Sequence, residues 1–404
     1  MTDIIIFFLL SLSIILICYR YVLGVSFRLL KHVLPQKFVY DIEVKKDYTW
    51  QPMVSFMIPC FNEGEHIYKT IESLLAQDWP KDKLEIIVID DRSSDDSYQW
   101  ALKAKALGNV TVLKNEVNTG KRKILIHATQ IAKGEICVSV DSDVILAPSA
   151  LKELMCCFPK NPKIVAVGGK VDISNANQNW VTQIQTMKLF FAYELYKGTE
   201  NIFRSVMCLS GCLTAYRREA LLKIEHLLEN RQLMGMDIKY GEDRYLAHLL
   251  ILQGGQSIIN LDSRCWTKSP ATLNQLFAQQ LRWRRSNVVD WILSIKTLKA
   301  HLTKVNFIVI IYHWLLMLYI LAYPLIIIHA FSLGLGLKMI VIHQLFLLTL
   351  AIAYQVVMFI RKEPLIKNPL VYLAVGVVLP ISYFLLTPLA IFTLDSTSWE
   401  TRKD

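Results

Sequence analysis

The sequence predicts an α/β domain on a mostly parallel sheet, carried between apolar segments that read as membrane helices. Three observations predict it. Apolar residues gather in blocks at the two ends of the chain. Between them, β-branched runs alternate with helical stretches of about 12 residues, and acidic pairs close two of those runs. The 404 residues are 53% hydrophobic, above the roughly 45–50% of soluble globular chains, with a mean hydropathy of +0.35. Only 19% are charged, 11% are aromatic, and the formal net charge is +10. That composition excludes a disordered chain and a basic nucleic-acid-binding tail, and no nucleic-acid partner is expected. High hydropathy with net basicity points to a membrane protein with a large cytoplasmic face.

The first apolar block covers 4–18, interrupted by two serines, and continues through 21–25. About 20 such residues cross the ~30 Å of hydrocarbon as a helix, so 1–25 is read as a span. No basic residue precedes it and no small-residue cleavage site follows, which argues against a signal peptide. Arg20, Arg28, Lys31 and Lys37 follow instead, placing the N-terminus outside and the linker 26–49 in the cytosol.

Residues 50–270 form the α/β domain. Strands are expected at 53–59, 85–89, 110–113 and 136–140, and helices at 66–77, 121–133 and 148–158. In such sheets ligands bind beyond the carboxyl ends of the strands. That rule selects Asp90 and Asp91 after one strand, and Asp141 and Asp143 after another. Glycine-rich dinucleotide and P-loop fingerprints are absent. An Asp-x-Asp at a strand end supplies hard oxygen ligands for Mg²⁺ or Mn²⁺ bridging a diphosphate, although alone it also suits a turn. The eight cysteines form no zinc spacing and are expected as reduced thiols.

Residues 271–305 read as interfacial helices, carrying Gln279-Gln280-Leu281-Arg282-Trp283-Arg284-Arg285. Three apolar blocks follow at 306–331, 339–360 and 369–394, within a membrane region of 306–394. Lys296, Lys299 and Lys304 mark the first as starting in the cytosol; Arg361, Lys362 and Lys367 mark a return. The last block contains Pro380 and Pro388, and 395–404 forms a tail with Trp399-Glu400-Thr401-Arg402. Gly241-Glu242-Asp243-Arg244 precedes a helical run at 246–252 and taken alone suits a helix N-terminus.

Together these residues resemble the membrane-embedded, processive family 2 glycosyltransferases, which include hyaluronan, rhizobial chitin-oligosaccharide and bacterial cellulose synthases. The pieces occur in family order: Pro59-Cys60-Phe61-Asn62-Glu63, Asp90-Asp91, Gly120-Lys121-Arg122, Asp141-Ser142-Asp143, Ser210-Gly211-Cys212, Gly241-Glu242-Asp243-Arg244, Gln279-Gln280-Leu281-Arg282-Trp283 and the tail motif. Two departures stand out. Glu400 replaces the usual glycine of the tail motif, and Cys212 stands where hyaluronan synthases commonly have proline.

The resemblance implies a Rossmann-like GT-A domain in the cytosol, flanked by transmembrane and interfacial helices, that polymerises sugar from a UDP-sugar with inversion. By position, Pro59, Asn62, Glu63 and Asp91 surround the uridine, Lys121 and Asp141 serve the nucleotide, and Asp143 holds Mg²⁺ or Mn²⁺. Asp243 is the implied general base and Glu242 the poorer candidate. Arg282 neutralises the UDP leaving group and Trp283 carries the acceptor sugar, with Gln279 and Gln280 beside them. Trp399 and Arg402 match a gating loop. The implied partners are a UDP-sugar, a growing glycan and membrane lipid at an inner (plasma) membrane, with a homo-oligomer left open. The two central motifs look nearest to the branch using UDP-N-acetylglucosamine. A single-transfer enzyme making a lipid-linked sugar and a polymerase of another UDP-hexose remain alternatives. A cytosolic tail requires that 369–394 be a broken, interfacial or re-entrant element rather than a third full crossing.

Overall fold

The structure, a computed structural model, describes residues 44–296, 307–360 and 370–395, together with 362, 366 and 368. The expected N-terminal span, most of the linker, and Trp399 and Arg402 lie outside the described residues. β1 (Val54–Cys60) and β2 (Leu84–Asp90) are buried at every position, as strands covered on both faces must be. They lie third and second from one edge of an eight-stranded sheet with β3 (Val110–Lys114), β4 (Ile136–Ser139), β5 (Ile145–Leu146), β6 (Ile164–Ile173), β7 (Thr214–Arg217) and β10 (Gln256–Thr267). The order is β3-β2-β1-β4-β7-β6-β10-β5. A two-stranded ribbon, β8 (Gln232–Leu233) and β9 (Met236–Asp237), stands apart.

The expected mostly parallel sheet is found with antiparallel insertions, β6 and β10 also pairing in parallel. β3, β2, β1 and β4 are parallel, but β7 runs antiparallel to both β4 and β6, and β5 runs antiparallel to β10. The sheet is therefore mixed. The parallel half sets up the site, because β1, β2 and β4 end at one edge. There Cys60 pairs with Asp90, the Asp91 N–H donates to the Cys60 carbonyl at 2.8 Å, and that of Val140 donates to Met57 at 3.1 Å.

Amphipathic helices cover both faces. α1 (His66–Leu75) buries Ile67, Thr70, Ile71 and Leu74, the stripe a 3.6-residue period makes. α2 (Ser97–Ala104), α3 (Lys121–Ile131) and α4 (Ala150–Met155) follow the next strands. α5 (Trp180–Phe191) starts at an Asn179 capping box and passes through a π-helical segment, Ala192–Lys197, into α6 (Gly198–Ile202). α7 (Arg218–Glu229), α8 (Glu242–Leu252) and the 24-residue α9 (Leu273–Lys296) complete the domain. One continuous apolar core runs from Val54 to Cys265, and the seven described cysteines are free thiols.

Three long helices follow: α10 (Phe307–Ser332), α11 (Gly336–Ile360) and α12 (Leu370–Phe392). His313–Ser332 and Leu370–Phe392 are long and apolar enough to cross a membrane. Of the broken, interfacial or re-entrant forms expected for the last block, the broken one is not found, since α12 continues through both Pro380 and Pro388. Each proline removes one intrahelical hydrogen bond, and neighbouring helices brace the rod. Near its start Val371 and Val375 pack with Ile184 and Met187 of α5. Midway, Tyr383 lies under the Arg284 guanidinium of α9, 4.0 Å from the ring centroid. At its end Arg285 Nε donates to Thr393 Oγ1 at 3.0 Å and Tyr240 Oη to the Leu394 carbonyl at 2.9 Å. α12 thus lies along the α/β domain from end to end. Its opposite side exposes Leu370, Leu373, Val377, Ile381, Leu385 and Leu389.

Candidate active site

The strand-end loops converge on a buried cluster of alternating charge. Lys121, the first residue of α3, places its ammonium 2.6 Å from Asp141 Oδ1 and 2.9 Å from Glu242 Oε1. The other Asp141 oxygen accepts the Cys212 thiol at 3.4 Å. Burial works to raise the Asp141 pKa, but Lys121, Cys212 and the positive charge of Arg282 outweigh it and hold the carboxyl below its usual value. Gly211 explains the glycine of its motif: a Cβ there would stand 2.5 Å from Lys121 Nζ.

Glu242 and Asp243 open α8, where the helix dipole favours acidic side chains. Their environments push them apart. Glu242 is buried, which raises its pKa, yet the Lys121 contact prevails and keeps it ionised. Among the described residues Asp243 has no cation at ion-pair distance. Burial first, then the negative charge of Glu242, lift it above the ordinary carboxylate range, against the pull of Lys121 and Arg244. Two carboxylates with opposed shifts are the pattern of an acid–base site. Gly241 fixes where they stand. It adopts φ +72°, and a Cβ would meet Ser286 Oγ at 1.9 Å, so only glycine lets α8 start against α9.

α9 brings the arginine–tryptophan motif to this cluster. Arg282 is half-buried, with its charge acting on Asp141, and the Trp283 indole is 38% exposed. Gln280 is buried and Gln279 half-buried. Two turns further along α9, Asp290 holds Arg231 of the preceding loop by an ion pair and stands 3.8 Å from Arg244 Nε. Arg231 is 1% exposed, so its pair clamps the segment before β8 onto α9, while Arg244 links α8 to the same carboxylate.

The nucleotide-side residues lie on the neighbouring loops. Asp91 is fully buried and both oxygens are engaged: Oδ1 accepts from Asn115 Nδ2, Thr119 N and Thr119 Oγ1, and Oδ2 from Gly120 N at 2.7 Å. It thereby shapes the loop that presents Lys121. Asn62, at φ +52°, accepts the Ser94 N–H at 2.8 Å, while the Glu63 N–H donates to Ser97 Oγ at 2.7 Å. Pro59 is inside β1, beyond its last pairing with β4.

Asp143 is half-buried just past β4, and one oxygen accepts the Thr267 hydroxyl at 2.7 Å. Among the described residues no group of three or more His, Cys, Asp or Glu stands ready to hold a metal. A divalent cation bound through one carboxylate and the oxygens of a diphosphate needs no such group, and Asp143 fits that mode. Asp141, taken by Lys121, fits it less well.

Sequence reasoning brought together Lys121, Asp141, Glu242, Asp243 and Arg282, and the structure does the same. It missed Thr267, Ser286, Arg231, Asp290 and Lys188, whose partners lie far away in the chain. Lys188 of α5 donates to Gln280 Oε1 and stands 5.4 Å from the Trp283 ring centroid. No local motif marks any of the five.

The profile described as "Glycosyltransferase like family 2" matches residues 52–286, more than half the chain. An N-acetylglucosaminyltransferase of Bradyrhizobium diazoefficiens is 31% identical over 258 residues, 60% of this chain and 50% of that protein. A hyaluronan synthase of Streptococcus pyogenes serotype M1 is 27% identical over 360 residues, 87% of this chain and 83% of that one. The chain spans about half the length of the rhizobial relative and 58% of another, from Rhizobium leguminosarum. Among solved structures, a mannosyltransferase from Pyrobaculum calidifontis in complex with GDP-Man and Mn²⁺ superposes with a TM-score of 0.54 at 17% identity. The match covers 94% of this chain and 99% of that one, a likeness of fold.

Proposed function

This chain belongs to glycosyltransferase family 2, and we propose that it is a membrane-associated, processive β-glycosyltransferase that extends a glycan from a UDP-sugar with inversion. UDP-N-acetylglucosamine is the donor first in line, as the names of the relatives suggest. The observation that carries this reading is the opposed tuning of Glu242 and Asp243 beside Lys121, on a helix clamped to the Arg282–Trp283 helix.

The chemistry follows from charge and position. The acceptor hydroxyl attacks the anomeric carbon on the face opposite the UDP, and its proton passes to an Asp243 carboxylate oxygen. Lys121 keeps Glu242 ionised, so Asp243 takes that proton in an already negative surrounding, which favours uptake. Arg282 supplies positive charge at the leaving diphosphate. A divalent cation at Asp143, when bound, supplies Lewis-acid neutralisation of the same diphosphate. Trp283 offers a flat apolar face to the acceptor sugar.

Membrane association is supported by the exposed apolar face of α12 and the two long apolar helices. α12 meets the α/β domain at both ends, which favours an element lying at the interface over a third crossing. Its end at Thr393–Leu394 sits by Tyr240, one residue before Gly241, so a tail carrying Trp399 and Arg402 starts beside the base. That supports their assignment to a gating loop. UDP release by the purified protein, measured with UDP-sugars singly and in pairs, tests the proposal; no release with any donor contradicts it.

A further inference from the structure

We propose that Arg92 reads the base of the donor nucleotide, its guanidinium donating to the O4 carbonyl of uracil. The inference deepens the proposed function and rests on its reading that a UDP-sugar seats across the strand ends.

Arg92 joins a strained backbone to an unoccupied side chain. It follows Asp91 just beyond β2 and is left-handed, at φ +64°. An arginine is strained there, whereas glycine would take the same turn freely. Asn62 is left-handed too, but its Oδ1 accepts from the Ser94 N–H and hydroxyl, which offsets the cost. Arg92 has no such compensation. Its side chain is exposed and, among the described residues, makes no hydrogen bond or ion pair. The acids that follow it are engaged elsewhere, Asp95 with Gly64 and Ser97, and Asp96 with Trp100.

The strained turn is held from both sides. Asn118 Nδ2 donates at 3.2 Å to the Asp91 carbonyl, on the peptide that joins Asp91 to Arg92. Ser93 donates its N–H to Asp90 Oδ2 at 3.2 Å, and its hydroxyl accepts the Asn62 N–H at 2.9 Å. Arg92 therefore stands at the seam between the Asn62 loop and the loop 115–120 that Asp91 shapes. A strained residue fixed this firmly, with a side chain that bonds nothing in the fold, marks a contact made with a ligand.

Its place in the sheet selects the part of the nucleotide it meets. β1 lies between β2 and β4, and neighbouring strands are about 4.8 Å apart, so the ends of β2 and β4 are about 10 Å apart. A nucleotide lying along this edge, with its diphosphate at Asp143 past β4, brings its base to the end of β2. There a guanidinium, which only donates, matches the O4 acceptor of uracil. Cytosine carries an amino donor at the same position, so the two groups would oppose each other.

The test is calorimetry of UDP and CDP binding to the full-length protein in nanodiscs with Mn²⁺, alongside steady-state transfer. The wild type is expected to bind UDP about tenfold more tightly than CDP. Arg92→Gly should reduce that preference to about twofold and raise KM for the UDP-sugar about tenfold, with kcat unchanged. The same variant should melt about 2 °C higher, because the strain is gone. Arg92→Lys, which keeps a donor on the same backbone, should retain part of the preference. Equal affinity of the wild type for UDP and CDP overturns the inference while leaving the transferase reading intact. Equal losses of both nucleotides in Arg92→Gly overturn it in favour of a ribose or diphosphate contact. An unchanged preference and KM in Arg92→Gly overturn it in favour of a turn residue without a ligand. Binding of neither nucleotide, with no transfer from any donor, sinks the proposed function and this inference together.

Discussion

Substituting Gly241 by Ala tests whether the base-bearing helix is positioned by its contact with α9. The new Cβ would lie 1.9 Å from Ser286 Oγ and 2.7 Å from its Cβ. The first contact is about 1.6 Å short of ordinary van der Waals separation. Ser286 is buried and hydrogen-bonded toward Asp290, so it cannot simply swing into solvent. Relief must come from α8 moving off α9, which carries Asp243 away from Arg282 and Trp283. Overpacking of this kind costs about 1–3 kcal/mol, and a non-glycine residue at φ +72° about 1–2 more. A displacement near 1 Å at a reacting group can lower the rate about 100-fold. Gly241→Ala should therefore lose two orders of magnitude in kcat for UDP release while UDP affinity changes little. Ser286→Gly in the same chain removes both close atoms and should restore most of the loss, leaving only the left-handed backbone strain. Wild-type rates and melting in Gly241→Ala, or no rescue by Ser286→Gly, would refute the reasoning.

Asp243→Asn should lower transfer by about 10²–10⁴-fold while UDP binding, followed by calorimetry, persists. Because burial and Glu242 raise the Asp243 pKa, the base is lost on acidification above the usual carboxylate range. The acid limb of kcat/KM against pH should accordingly fall there, and its absence would remove Asp243 as the titrating base. Lys121→Met leaves Asp141 and Glu242 facing each other unpaired, which should cost about 3–5 kcal/mol in thermal or denaturant melts. The same change removes a charge that holds Asp243 down, so the remaining activity should show its acid limb at still higher pH. Arg231→Met leaves buried Asp290 with only the longer Arg244 and Ser286 contacts and should destabilise by about 1–3 kcal/mol; a melt unchanged from wild type would deny the clamp its role.

Much of the parallel half of the sheet was legible because its strands are short apolar runs between clear turns, with acids at their ends. Strand direction beyond β4 was not. β7 is a four-residue strand, Thr214–Arg217, and nothing local distinguishes an antiparallel insertion from a parallel one. The site carboxylates were legible as motifs, yet their tuning was not, since it depends on Lys121 reaching two acids 20 and 121 positions away. The sequence also marks Gly241 without saying why it is glycine; Ser286, 45 residues on, supplies the reason. The prolines of α12 misled in the other direction. They signal a break locally, but packing on α5 and α9 keeps the helix whole.

Product sizing tests the central claim most directly. Purified full-length protein is supplied with radiolabelled UDP-N-acetylglucosamine, alone and with UDP-glucuronate, and the products are separated by size. The account predicts a polymer of many sugar units, lost in Asp243→Asn. A single sugar on lipid, or UDP release without glycan growth, would contradict it.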